Sequence, residues 1–240
     1  FRYSTETATG MVRMRETKGV SIWKSLREYG SVIPLIIHSK GTIFSLVIMA
    51  IVGAVSIINT TFWQVVVSEH LNVPVALLPF APMVRSILSV IFFFTIIPPL
   101  LNRRSLRLPT ILGFAGYLLG QVLLVLIPAP DGVATTTVYG LLALCLLFDA
   151  FGMGIMFMLS ESLVALHVNK EERSRVMAIQ RTGVMLVTAP FGWIAGGLSS
   201  VDRTWPFILT SVLLIIGLIL AGWFWVSTHG DHGVEELLTD

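Results

Sequence analysis

Apolar residues run through this chain in long blocks, not in alternation. Six blocks, at about 41–67, 75–101, 108–127, 136–166, 176–198 and 206–226, are each predominantly apolar over some twenty residues or more. A helix crossing bilayer hydrocarbon needs about 20 such residues, so each block is predicted to be a membrane-spanning helix. Strands of a membrane barrel would be near ten residues long with alternating polarity. The breaks are short and polar: "SEHLN", "NRRSLR", "PAPDG", "HVNKEERSR" and "SSVDRTW". The expected fold is an all-α membrane bundle of six helices over 41–228. A polar, basic segment (1–40) precedes it and a tail (229–240) follows. Within 1–40, Ile22, Leu26, Tyr29 and Ile33 fall at helical spacing. That stripe suits a helix lying on the membrane surface, or one packed on its own protein.

Composition agrees. Of 240 residues, 55% are hydrophobic and 12% charged, with a mean hydropathy of +0.84. Soluble domains carry about 25% charged residues. The net charge of +2 says less than where the charges sit. Thirteen of the sixteen Lys and Arg residues fall in the leading segment, the second break and the fourth break. The alternate breaks hold one, Arg203. By the positive-inside bias both termini are expected in the cytoplasm, with the chain an integral protein of the plasma (inner) membrane. The two remaining cations, Arg85 and Arg181, lie within or at the edge of spans.

"LLALCLLFDAFGMGIMFMLS" (141–160) places Asp149 in the middle of the fourth span. A mid-bilayer carboxylate costs roughly 2.5–3.5 kcal/mol on insertion scales, and such residues are candidates for function. Asp149 falls about 18 Å, and Arg85 in the second span about 15 Å, from the outer ends of their helices at 1.5 Å per residue. Opposite charges at compatible depths can pair. Asp149 is therefore expected to face an aqueous cavity, to pair with Arg85, or both. It is either a proton or cation site, or half of a structural ion pair. In the first span Asn59, Trp63 and Val67 share a face, flanked by Thr60, Thr61 and Gln64. Asn59, Trp63 and Gln64 fit a substrate-binding face. Equally, Asn59 could bond neighbouring helices and Trp63 could anchor the interface. Small-residue pairs at Gly116/Gly120 and Gly192/Gly196 would let helices approach closely. Pro79, Pro82, Pro98, Pro99 and Pro190 would permit kinks.

An intramembrane enzyme would need a nucleophile with its base, paired carboxylates or metal ligands within the spans. His38, His70, His167, His229 and His232 lie outside the spans or at their edges. Asp149 has no second acid at its depth, and Cys145 is the only cysteine. No phosphate-cradling glycine loop appears. The chain is expected not to be an enzyme, and to need no cofactor, metal or nucleic acid. A membrane scaffold or assembly subunit with purely structural ion pairs is the alternative to transport.

Two cytoplasmic loops carry a resemblance. "LLNRRSLRLPTILGFAGYLLG" (100–120) is similar to the basic motif joining the second and third helices of each half of a major facilitator superfamily transporter. Asn102 stands before Arg103, where the fuller pattern has an aspartate or glycine. "NKEERSRVMAIQRTGVMLVTAPFGWIAGGLSSVDRTWPF" (169–207) resembles the corresponding charged loop and small-residue helix late in the C-terminal half. The leading segment is similar to the central linker of a full carrier. The resemblance covers about 20–228. It implies the C-terminal six-helix half, a fold of 3+3 inverted repeats with the first and fourth spans lining a cavity. The second and fifth spans would contact the other half. It implies a secondary active transporter moving a small solute by alternating access, as an ion (proton)-coupled symporter or antiporter. It also implies a cytoplasmic gate, for which Arg103, Arg104, Glu161, Arg173 and Arg181 are the candidates. The expected partners are the lipid bilayer, a small-molecule substrate, and the missing N-terminal half or a second copy of the chain. Sequencing upstream of Phe1 should reveal a continuous frame encoding about six more apolar spans; a stop codon and an independent start there would refute the half-carrier expectation.

Overall fold

In the computed structural model the structure describes residues 40–96, 99, 107–167 and 173–236, with side chains over 43–96, 99, 107–159 and 177–223. Six long helices account for most of them: α1 (Lys40–Val65), α2 (Phe80–Thr95), α3 (Arg107–Leu126), α4 (Thr136–His167), α5 (Arg173–Val201) and α6 (Trp205–Glu236). No strand occurs among the described residues. All six helices are long and apolar enough to cross a membrane. With no water in hydrocarbon to satisfy backbone groups, a helix is the form in which each span closes its own hydrogen bonds. The amphipathic stripe at 22–33 lies outside the described residues.

Helix ends follow local chemistry. α1 widens into a π-helical turn, Val66–His70, closed by the Leu71 amide donating to the Val66 carbonyl at 3.1 Å. Asn72 then takes a left-handed backbone (φ 52°), which asparagine tolerates better than most residues, and donates to the Pro130 carbonyl at 3.3 Å. α2 begins after Pro79 and carries Pro82 in its first turn. These prolines therefore start the helix and do not kink it, because a first-turn amide needs no intrahelical acceptor. Pro190 does lie inside α5. α6 continues through Glu236, past the position where the tail was expected to begin.

α3 packs most extensively on α4 and next on α6; α1 packs on α5, α6 and α4, and α2 on α4. The core is in two apolar clusters. One, towards the basic loops, joins Phe44, Ile48 and Val55 of α1 to Phe114, Tyr117, Ile155, Met156 and Leu214. The other, towards the sparsely charged loops, joins Trp63 and Val67 to Leu124, Leu142, Leu146 and Phe207. α2 has no buried residue in its span and α5 few, and they present Phe94, Leu186 and Trp193 at 73, 72 and 84% exposure. Such faces suit contact with lipid.

Glycine sets the α3–α4 contact. A Cβ on Gly152 would stand 2.4 Å from the Tyr117 amide nitrogen and 2.6 Å from its Cα. One on Gly120 would stand 3.1 Å from the Asp149 amide nitrogen. The backbones themselves touch here, as expected of the Gly116/Gly120 spacing. The Gly192/Gly196 pair does not bring helices together in this way: Cβ atoms there would meet Ile57 and Phe62 at ordinary distances of 3.8 and 4.0 Å. Large α1 side chains hold α5 off at that point. Gly152→Ala should therefore destabilise the bundle by about 1–3 kcal/mol through overpacking. Gly140→Ala, where nothing lies within 4 Å, should be neutral or slightly stabilising. Thermal unfolding in detergent reads both, and equal midpoints would contradict the close-packed seam.

Candidate functional site

Between the two apolar clusters lies a thin polar layer. Asn59 stands on α1 between Val55 and Trp63, and Gln121 on α3 between Tyr117 and Leu124. Asp149 stands on α4 between Leu146 and Ile155, and Thr210 on α6 between Phe207 and Leu214. All four are buried, at 3% exposure or less. Arg85 joins them from α2, so five helices meet in one network.

The bonds close around the carboxylate. Asp149 Oδ1 accepts from Gln121 Nε2 at 2.8 Å and from Asn59 Nδ2 at 3.2 Å. Its Oδ2 accepts from Arg85 Nη1 at 3.2 Å, an ion pair. The same Nη1 donates to Asn59 Oδ1 at 3.2 Å, and the Thr210 hydroxyl donates to Gln121 Oε1 at 3.2 Å. A buried charge is tolerated when it is paired and its remaining lone pairs are met. Here the cation meets one oxygen and two amides meet the other. The close approach at Gly120 explains the shortest bond, because Gln121 follows directly on the backbone that touches α4.

The two charges differ in access. The Asp149 side chain is 4% exposed and that of Arg85 is 18%. Arg85 lines a crevice of about 20 Å³ with Asn59, Thr60, Trp63 and Gln64. That is room for about one water. It also lines a wider cleft of about 440 Å³ with Ser89, Phe93, Met153, Gly154 and Phe157. Ser89 bridges α2 and α4 there, donating to the Ala150 carbonyl at 3.5 Å.

Of the residues singled out from the sequence, Asp149, Arg85 and Asn59 come together directly. Trp63 does not stand at the surface as an interfacial anchor would. It is buried at 7% exposure in the second apolar cluster and borders the crevice. Gln64 is exposed on the crevice rim, and Thr60 bonds back to Ser56 and Ile57 of its own helix. Arg181 is exposed on α5. Arg103 and Arg104 lie outside the described residues, as do the side chains of Glu161 and Arg173, so the expected gate is not described.

Gln121 and Thr210 were missed. Gln121 offered a signal, a lone amide in "YLLGQVLLVL"; Thr210 offered none, because threonine commonly bonds its own helix, as it also does here to Phe207. Tyr117 was missed too. Its ring is fully buried beside this layer and its hydroxyl has no hydrogen-bond partner among the described residues.

The sparsely charged loops are tied as well. Arg203 Nε donates to Glu69 at 2.7 Å, joining the end of α1 to the α5–α6 turn. Both side chains are about half exposed, so the pair contributes about 0–1 kcal/mol. Beside it, the amide and hydroxyl of Thr204 donate to Asp202 at 2.7 Å and hold that carboxyl below its usual pKa.

Arg85→Leu should cost about 3–5 kcal/mol, because it strands a buried carboxylate. The charge-balanced double variant Arg85→Gln/Asp149→Asn should recover most of that loss. Tyr117→Phe, which deletes an unpartnered hydroxyl, should leave stability unchanged or raise it by about 1 kcal/mol. Thermal unfolding of the purified variants checks the three; a double variant no more stable than Arg85→Leu would refute the coupling.

Comparison with known proteins gives one family. The model of the Major Facilitator Superfamily matches residues 30–237. No curated protein and no solved structure matches the chain.

Proposed function

Because the chain belongs to the major facilitator superfamily, a family of membrane transporters, we propose that it is the C-terminal half of a secondary active carrier. On this reading it moves a small solute by alternating access, with a proton as the coupling ion. One observation carries the proposal: an ion pair sits midway along an apolar bundle, in a polar layer drawn from five helices, with its cation bordering a cleft. Charge at that depth is costly, and transport is one use that returns the cost.

The helix contacts support the same reading. α1 packs on α5 as α4 packs on α2, α1 meets α6 as α4 meets α3, and α3 and α6 meet each other. Exchanging α1 with α4, α2 with α5 and α3 with α6 preserves these pairs, as two inverted three-helix repeats would. α2 and α5 are the least buried spans, which suits their contact with a missing N-terminal half. The basic loops then face the cytoplasm, and Arg103, Arg104, Glu161, Arg173 and Arg181 form the inner gate.

A structural role for the pair is the second reading, and the completeness of the bonds around Asp149 favours it. One experiment separates the two. Asp149→Asn in the full-length protein, reconstituted in vesicles, should abolish gradient-driven accumulation while exchange stays measurable. Unchanged accumulation would remove Asp149 from coupling and leave the structural role.

A further inference from the structure

We propose that the cleft beside Arg85 binds an organic monoanion, a carboxylate carried on an apolar body. The inference rests on the carrier reading and names the class of solute. It starts from which charge the cleft meets. Asp149 is enclosed by Asn59, Gln121 and Arg85, with its side chain 4% exposed. Arg85 stands in front of it at 18%, so the accessible charge is the cation.

The guanidinium is only half used. Both its bonds, to Asp149 and to Asn59, leave from Nη1. Nε and Nη2 make no hydrogen bond or ion pair with a described residue. Those two nitrogens form the side-on fork of arginine, whose parallel N–H groups match the two oxygens of a carboxylate. A ligand on that fork need not displace Asp149, which keeps its donors throughout. An ammonium would meet a guanidinium and be repelled. A neutral amide would offer one acceptor where the fork presents two donors.

The rest of the cleft is apolar. Phe93, Phe157, Met153 and Val90 line its about 440 Å³, with Ser86 and Ser89 as the polar exceptions. Aromatic and thioether walls favour a hydrocarbon or aromatic body. Lipid tails would fill the walls but leave the fork's donors unmet in a medium that offers no acceptor, which is unfavourable. Lipid headgroups stay near the surface, whereas Arg85 pairs with Asp149, which stands about 20 Å of helix from the nearer end of α4. A solute bearing both parts satisfies both.

The test is equilibrium binding to the purified full-length protein, with matched sets of benzoate, benzamide and benzylamine, and of octanoate, octanamide and octylamine. In each set the carboxylate should bind at least tenfold more tightly than its partners. Arg85→Gln/Asp149→Asn, which stays electrically balanced, should abolish the preference. Arg85→Lys, which keeps the charge but loses the fork, should reduce it. An amine preferred, an amide bound equally well, no carboxylate binding at 10 mM as an upper bound of about mM affinity, or a preference that survives the double variant would each overturn the proposal. Because binding and not accumulation is read, a preference for the amine would leave the carrier reading standing.

Discussion

A carboxylate in the middle of an apolar bundle must find donors inside the protein, since neither hydrocarbon nor bulk water supplies them there. Asp149 finds them on three other helices: an amide on α1, a guanidinium on α2 and an amide on α3. A fourth helix, α6, orients the α3 amide through Thr210. Satisfying one side chain thus fixes the relative height and rotation of five helices. The apolar clusters on either side add packing, but packing of aliphatic surfaces tolerates sliding better than a set of directed bonds does.

That arrangement depends on how near the helices stand. Without side chains at Gly120 and Gly152, α3 and α4 meet backbone to backbone, and the turn bearing Asp149 comes within reach of Gln121. Elsewhere the bundle is looser. α2 touches α4 along one side only and stays open on the rest, so the ion pair lies at the edge of the bundle and not in its closed centre. The result is an asymmetric pair, with the acid enclosed and the base bordering a cleft. The charge bordering the cleft is the opposite of the one that first draws notice in the sequence.

The opposite end of the bundle is held differently. Asn72 bonds to Pro130 and Glu69 pairs with Arg203, so three loops are joined by single contacts between exposed groups. Each is individually weak in water. The directed buried bonds at mid-helix and these single contacts between loops are thus separated along the helix axes.

Six spans, their order and the presence of an intramembrane acid and base were all legible in the sequence. Run length and hydropathy depend on the solvent, lipid, and need no knowledge of neighbours. The pairing of Asp149 with Arg85 was legible as one of two options, beside an aqueous cavity, because helix rise converts residue number into depth. Rotation about the helix axis was not. Depth alone could not say that Gln121 faces the acid and Thr210 faces Gln121, that Trp63 turns into the core, or that Gly192 and Gly196 make no close contact. Nor could it say that prolines 79 and 82 begin a helix and do not bend one. Those facts follow from how six cylinders pack, which is set by the sum of many side-chain contacts between segments distant in the chain. Tertiary structure alone decided which of the two charges the cleft meets, because exposure is a property of the assembled surface and not of any one span.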